Sequence, residues 1–162
     1  MADVYMKASD VLFASEARCY ATINDKRYNF VNMKNLEANF KKKKVEVAIL
    51  GRTGKGHKSA GWTGTFKATM YYNSSVMRKM AEEYKNSGED IYFDIQIVNE
   101  DKGTKVGKQE VLLKECNLDS LIIAKFDADG ELLEEDIEGT FDDFEIKEGF
   151  KDLEGMIGQK EE

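Results

Sequence analysis

The residues whose types and spacing come nearest to chemistry lie between Gly51 and Ser59, where Gly51, Gly54 and Gly56 are interleaved with Arg52, Lys55, His57 and Lys58. Glycines next to a lysine can form a phosphate cradle, but the register here is wrong. A P-loop needs Lys and Ser or Thr directly after its second glycine, so that a following helix aims its amides at the phosphates. His57 separates Gly56 from Lys58, and the residues from Trp62 onward alternate with period two, which is a strand pattern. Nucleotide binding by residues 51–59 therefore stands only as an alternative to a basic, solvated hairpin tip. His57 is the sole histidine, so imidazole chemistry has one candidate and no second ring to share a metal. Asp127, Asp129 and Glu131 suggest a calcium loop until Gly130 is counted. It falls at the fourth position, whereas an EF-hand turns on a glycine at its sixth. No catalytic set and no metal or cofactor site is expected.

The elements that must position these residues are mostly strands. Cys19, Ala21 and Ile23 alternate, then Tyr28 and Phe30 after an Asn24-Asp25 turn, which predicts a hairpin. Leu36, Ala38 and Phe40 alternate out of phase with Val45, Val47 and Ile49, so a bulge or strand switch belongs at Lys41 to Lys44. The five glycines from Gly51 to Gly64 predict a long loop or hairpin tip. Trp62, Phe66, Ala68, Met70 and Tyr72 then give the cleanest alternation, with threonines on the opposite face. Val76, Met77, Met80, Ala81 and Tyr84 form a helical stripe, predicting one helix over about 75–86, capped by Asn73 or Ser74 and ended by Gly88.

Ile91 to Ile97 and Val111 to Cys116 read as strands around a charged turn from Asp101 to Lys108. Leu118 to Phe126 and Leu133 to Phe141 read as a last hairpin turning at Asp129-Gly130. Core positions on this reading include Trp62, Phe66, Met70, Met80, Phe93, Phe126 and Phe141. Residues 1–16, with Val4, Tyr5, Val11, Leu12 and Phe13 as buried anchors, are expected to be an N-terminal arm. Residues 147–162, with Phe150, Leu153, Met156 and Ile157 spaced along them, are expected to be a charged C-terminal arm. Residues 17–146 form the β domain between them.

Composition narrows the function classes. A chain of 162 residues with 41% hydrophobic and 34% charged residues folds as one ordinary domain. Twenty-four basic against thirty-one acidic residues give a net charge of −7, which argues against a general nucleic-acid binder and leaves room for a local basic patch. Two cysteines outside any metal or redox spacing predict buried thiols, and no apolar run is long enough for a membrane anchor. About eight to ten strands with a single helix to cover them leave open β edges, which invite pairing with other chains.

Particular residues carry a family resemblance. The stretch from Glu37 to Arg52 (EANFKKKKVEVAILGR), then Gly56-His57-Lys58-Ser59 with Gly64-Thr65, Tyr92-Phe93-Asp94, Leu133-Glu134-Glu135-Asp136 and Thr140 to Phe144 (TFDDF), resembles the tail tube proteins of contractile phages, phage-like particles and R-type bacteriocins. The likeness covers roughly residues 17 to 146 and rests on the order and spacing of these motifs together. It implies a mainly β fold, an antiparallel sandwich or partial barrel with one flanking helix, in hexameric rings stacked into a tube. About four strands per subunit would give a barrel of twenty-four, near 150 Å round and about 48 Å across at ~4.8 Å strand spacing and ~40° tilt. The implied partners are further copies, a contractile sheath, baseplate and terminator proteins, and a tape-measure protein in the lumen. DNA would pass without specific binding in a phage. Assembly in the bacterial host cytoplasm, then a place in a virion tail or released bacteriocin particle, follows from the same likeness. The related alternative is a ring protein of type VI secretion.

With a channel in view, charge acquires a role, because an acidic wall repels DNA whereas a basic one binds it. Nine acids and no base lie between Asp127 and Asp143. Asp127, Asp129, Glu134, Glu135, Asp136 and Asp101 are accordingly the candidates for a lumen-facing set. Arg52, Lys55, His57 and Lys58 are the candidates for contact between rings or subunits.

Overall fold

The computed structural model describes residues 5–156, so Val4 and Ile157 of the expected arms lie outside it. Seven strands, β1 (Ala17–Ile23), β2 (Lys26–Asn29), β3 (Met33–Val47), β4 (Gly56–Tyr71), β5 (Phe93–Glu100), β6 (Lys108–Ser120) and β7 (Glu134–Glu148), are joined by one helix, α1 (Val76–Ser87). They form a single sheet in the order β2-β1-β5-β6-β7-β4-β3, with every neighbouring pair antiparallel.

Chain connectivity forces this sheet to roll. β2 and β3 occupy its two edges, yet only residues 30–32 join them. Six interstrand gaps would hold the edges of a flat sheet about 29 Å apart, whereas four Cα–Cα steps reach no more than about 15 Å. The link ties both sides together: the Phe30 amide donates to the Cys19 carbonyl (3.0 Å) and the Tyr71 amide to the Asn32 carbonyl (2.9 Å). The result is a partial barrel whose inner face buries Phe66, Met70, Ile95, Leu113 and Ile137 with Met77 and Met80 of α1. Phe93 and Phe141 lie in the same core, and the Phe66 and Phe93 rings meet edge to face at 6.4 Å.

Local chemistry sets the element ends. Asn24 and Asp25 both take positive φ, 50° and 64°, as a two-residue hairpin matched to strand twist requires. α1 starts after Ser75; the Ser74 hydroxyl accepts from the Val76 amide (3.4 Å), and Gly88 ends the helix at φ 75°. A bulge does lie at the lysines, but on the partner strand, so β3 itself keeps its alternation and turns Val45 and Val47 to the face opposite Phe40. Lys42 faces Trp62 while Lys44 faces Ser59, so β4 carries one extra residue there, beside Gly61 at φ 99°.

Four expectations are corrected. The segment from Gly51 to Gly64 is not one long loop: β4 begins at Gly56, because β3–β4 backbone pairing persists where no side chain is buried. Asp129-Gly130 is not a type I′ hairpin, since neither residue has positive φ. The Asp127 carboxylate instead accepts from the Asp129 and Gly130 amides (both 3.1 Å), closing an Asx turn within a connection over 121–133. Trp62 and Phe126 are not core residues, being 38% and 90% exposed: Trp62 lies beyond the point where the sheet is covered and Phe126 lies in that connection. Tyr5, Val11 and Phe13 are exposed rather than buried anchors. Both arms are held through the backbone instead. Phe13 N donates to the Asp101 carboxylate (3.1 Å) and Lys151 N to the Val106 carbonyl (2.7 Å), fastening the arms to the β5–β6 turn.

The closest packing is at Gly139 on β7, where an added Cβ would collide with the Asn117 carbonyl and stand 2.6 Å from the Phe66 ring. Backbone cannot yield as a flexible side chain can. Gly139→Ala is expected to destabilise by about 3 kcal/mol, the upper end of overpacking costs. A urea midpoint equal to that of the unaltered protein would contradict this.

Candidate assembly surface

The tip formed by residues 48–55 and the adjoining strand ends gathers the basic candidates. His57 pairs with Glu46 and Lys58 with Val45 across the β3–β4 ladder. Lys55 Nζ stands 3.5 Å from Glu46 Oε2, both side chains exposed, and Arg52 is exposed at the turn. Because β4 follows this tip, no helix N-terminus presents amides to a phosphate. Among the described residues no group of three or more His, Cys, Asp or Glu is disposed to hold a metal.

The acidic candidates separate into three environments. Asp101 is buried: its carboxylate accepts from the Phe13 amide and from the Gly103 amide (2.8 Å), so it is a structural tie and not a wall residue. Glu135 is buried too, paired with Arg78 of α1, and leaves the wall for the same reason. Glu134 and Asp136 lie on or beside the outer, polar face of β7; Glu134 meets Lys34 Nζ at 2.6 Å, and Asp136 accepts from the Thr69 hydroxyl at 2.6 Å. On the neighbouring strand, Thr63, Thr65, Lys67 and Thr69 alternate with the core residues, so this whole face is hydrophilic. Asp127 and Asp129 are exposed in the 121–133 connection, at the end of the sheet opposite to the basic tip.

Strand edges dominate what remains open. Among the described residues β3 is bonded to β4 on one side only, over a strand of 15 residues that includes Lys41 to Lys44. Lysines on such an edge resist indiscriminate pairing while leaving its amides and carbonyls available. β4 and β7 part at Gly64 opposite Phe141. Beyond that point, among the described residues, β4 is bonded only to β3, and Asp142 to Glu148 only to β6. A two-stranded ribbon thus leaves the sheet at the end where both arms and the β5–β6 turn lie.

At the fork sits an aromatic group that sequence reading did not find as such. Phe40 and Trp62 stack at 5.0 Å, and Phe144 meets them edge-on at 5.8 and 5.7 Å. All three remain partly exposed, as is Ile146, while Val45, Val47, Ile49 and Leu50 are exposed farther along the ribbon toward its tip. Aromatic rings left partly exposed beside unpaired strand edges mark an interface with other protein. Alternation alone assigned Trp62 to the core; the missing signal was where the covering layer stops.

Comparison with known proteins agrees with the sequence resemblance. A family profile described as "Phage tail tube protein" matches residues 4–148. The phage-like element PBSX protein XkdM of Bacillus subtilis (strain 168) is 36% identical over 147 residues, covering 91% of this chain and 97% of that protein. Among solved structures, a chain of the PVC sheath–tube complex, an extracellular contractile injection system in its extended state, superposes with a TM-score of 0.61 at 12% identity, covering 86% of this chain and 93% of that one. A chain of the SPP1 tail tube gives 0.61 at 10% identity, covering 90% and 83%.

Proposed function

This chain belongs to the phage tail tube protein family, and from that premise we propose that its open edges are closed by sister copies, six to a ring, with rings stacked into a hollow tube inside a contractile sheath. As a member of that family it is a structural tail component and not an enzyme. The observation that carries the cyclic reading is the long one-sided β3 edge beside a projecting ribbon. Edge amides and carbonyls gain hydrogen-bond partners when an identical sheet continues them, and a repeated rotation closes such a heterologous contact into a ring.

In this reading the hydrophilic outer face of β4 and β7 lines the channel, with Asp136 as its wall acid and Glu134 partly neutralised by Lys34. Asp127 and Asp129 contribute near one rim. A mixed, hydrated wall with little bare positive charge lets DNA pass in a phage without retaining it. Sheath, baseplate and terminator proteins complete the particle, a tape-measure protein occupies the lumen, and assembly takes place in the host cytoplasm before release in a tail or bacteriocin particle.

Light scattering across a concentration series tests the ring. Six copies of 18.4 kDa give a species near 110 kDa, with longer multiples above it; a monomer at every concentration, with or without sheath protein, contradicts the proposal. The basic tip supplies ring-to-ring register. Reversing Lys55 and Lys58 to Glu is expected to shorten tubes sharply in negative-stain images while leaving single rings, and unaltered tube length would reject that role.

A further inference from the structure

We propose that the 121–133 connection of one copy docks head to tail into the aromatic fork of another, seating Phe126 against Trp62. The inference rests on the tube reading and names the contact between successive rings.

Phe126 is 90% exposed, and Ile123 and Leu132 beside it are 64% and 71% exposed. Yet the backbone around Phe126 is fixed. The Ile122 carbonyl accepts from Arg78, the Lys125 amide donates to the Tyr72 hydroxyl (3.3 Å), and Lys125 Nζ donates to the Glu134 carbonyl (2.9 Å). On the other side the Asp127 Asx turn holds residues 127–130. An aromatic side chain held into water on a pinned loop has already lost the freedom that docking would otherwise cost, which is how interface anchors gain affinity.

The fork offers the complementary surface. Phe40, Trp62 and Phe144 form its floor, where the core face of the sheet runs past its last covering side chain, and Ile146 beside them is 58% exposed. Charge agrees in balance: Asp127, Asp129 and Glu131 outnumber Lys125 at the knob, and Lys41 to Lys44 with the basic tip outnumber Asp142, Asp143 and Glu145 at the fork. The two surfaces lie at opposite ends of the sheet, the placement that lets copies aligned head to tail repeat the contact along an axis.

Trp62 is the only tryptophan, so its emission reports the fork alone. When the full-length protein assembles, Trp62 emission is expected to move to shorter wavelength and acrylamide quenching to fall severalfold. Phe126→Asp is expected to keep the monomer's circular dichroism and urea midpoint and to form single rings without stacks, and Phe126→Leu to restore stacking in part. Phe126→Asp tubes as long as those of the unaltered protein, or unaltered tubes whose Trp62 is as quenchable as in the monomer, overturn the docking and leave the tube reading intact. If the unaltered protein forms neither rings nor tubes, the tube reading fails and the docking with it. Should the Asp variant fail to fold, Phe126→Ala takes its place with the same readouts and the same contradicting outcome.

Discussion

Replacing Arg78 by methionine is expected to lower the unfolding free energy by about 3–5 kcal/mol, the cost of leaving one partner of a buried ion pair uncompensated. The Glu135 side chain is 1% exposed and that of Arg78 15%. The guanidinium donates to Glu135, to the Ser74 carbonyl and to the Ile122 carbonyl, and lies 4.3 Å from the centre of the Tyr72 ring. One side chain therefore fastens α1, β7 and the 121–133 connection together. At roughly 2–4 °C per kcal/mol for a domain of this size, the thermal midpoint falls by about 10 °C. The pair is costly even when intact, because Glu135 Oε1 is buried and has no hydrogen-bond partner among the described residues. Arg78→Met combined with Glu135→Leu is accordingly expected to recover most of the loss, since an apolar pair of similar volume avoids burying either charge. Urea melts of the two single variants and the double variant measure this; a single variant within 1 kcal/mol of the unaltered protein contradicts it.

Alkaline pH is expected to unfold the protein through its two thiols. Burial pushes the Cys19 thiol from its ordinary 9.0 up to about 12. Burial, with the charge of Asp94 adding to it, does the same for Cys116. The folded chain keeps both protons over a range in which the unfolded chain has lost them. Stability from this source is complete below pH 9 and declines as pH rises toward 12, at about 1.4 kcal/mol per unit per thiol. Two thiols could then remove several kcal/mol by pH 11, comparable to a whole domain's stability. Cys19→Ala with Cys116→Ala should flatten the decline between pH 9 and 11, whatever constant offset the smaller side chains introduce. An equal slope in the double variant would assign the alkaline limb to other groups. Below pH 9, a thiol reagent should label both cysteines only as fast as the chain opens.

Much of the fold was legible because period-two patterning depends on which face is covered. The β1–β2 hairpin announced itself in Asn24-Asp25, and the helix in its Met77 and Met80 stripe ended by Gly88. A bulge at the lysines was visible too, although the extra residue, near Gly61 on β4, belongs to a partner strand that a linear pattern does not specify. What failed to show was where cover ends. Trp62 and Phe126 continue apolar alternation past the region that α1 and the rolled sheet enclose, so pattern alone assigned them to a core that does not reach them. Gly56 to Ser59 looked like a loop because an exposed ribbon carries no burial pattern, only backbone pairing. Asp101 and Glu135 looked like surface acids because sequence does not reveal the amides of the N-terminal arm or the guanidinium of Arg78 that hold them inside. The basic set at Arg52, Lys55, His57 and Lys58 was recognisable from composition, since a hairpin tip needs no distant partner to stay exposed.

Amide hydrogen exchange along β3 probes most directly whether sister copies complete the sheet. Alternate amides of Met33–Val47 are bonded to β4, and those facing the free edge are not. In dilute monomer the free-edge amides should exchange freely, and in concentrated, assembled protein they should slow by about 100-fold or more, the effect of placing them in a paired ladder. Free-edge amides that exchange at the same rate in both samples, while microscopy shows assembled particles, would contradict pairing at this edge; protection already complete in the monomer would contradict it equally.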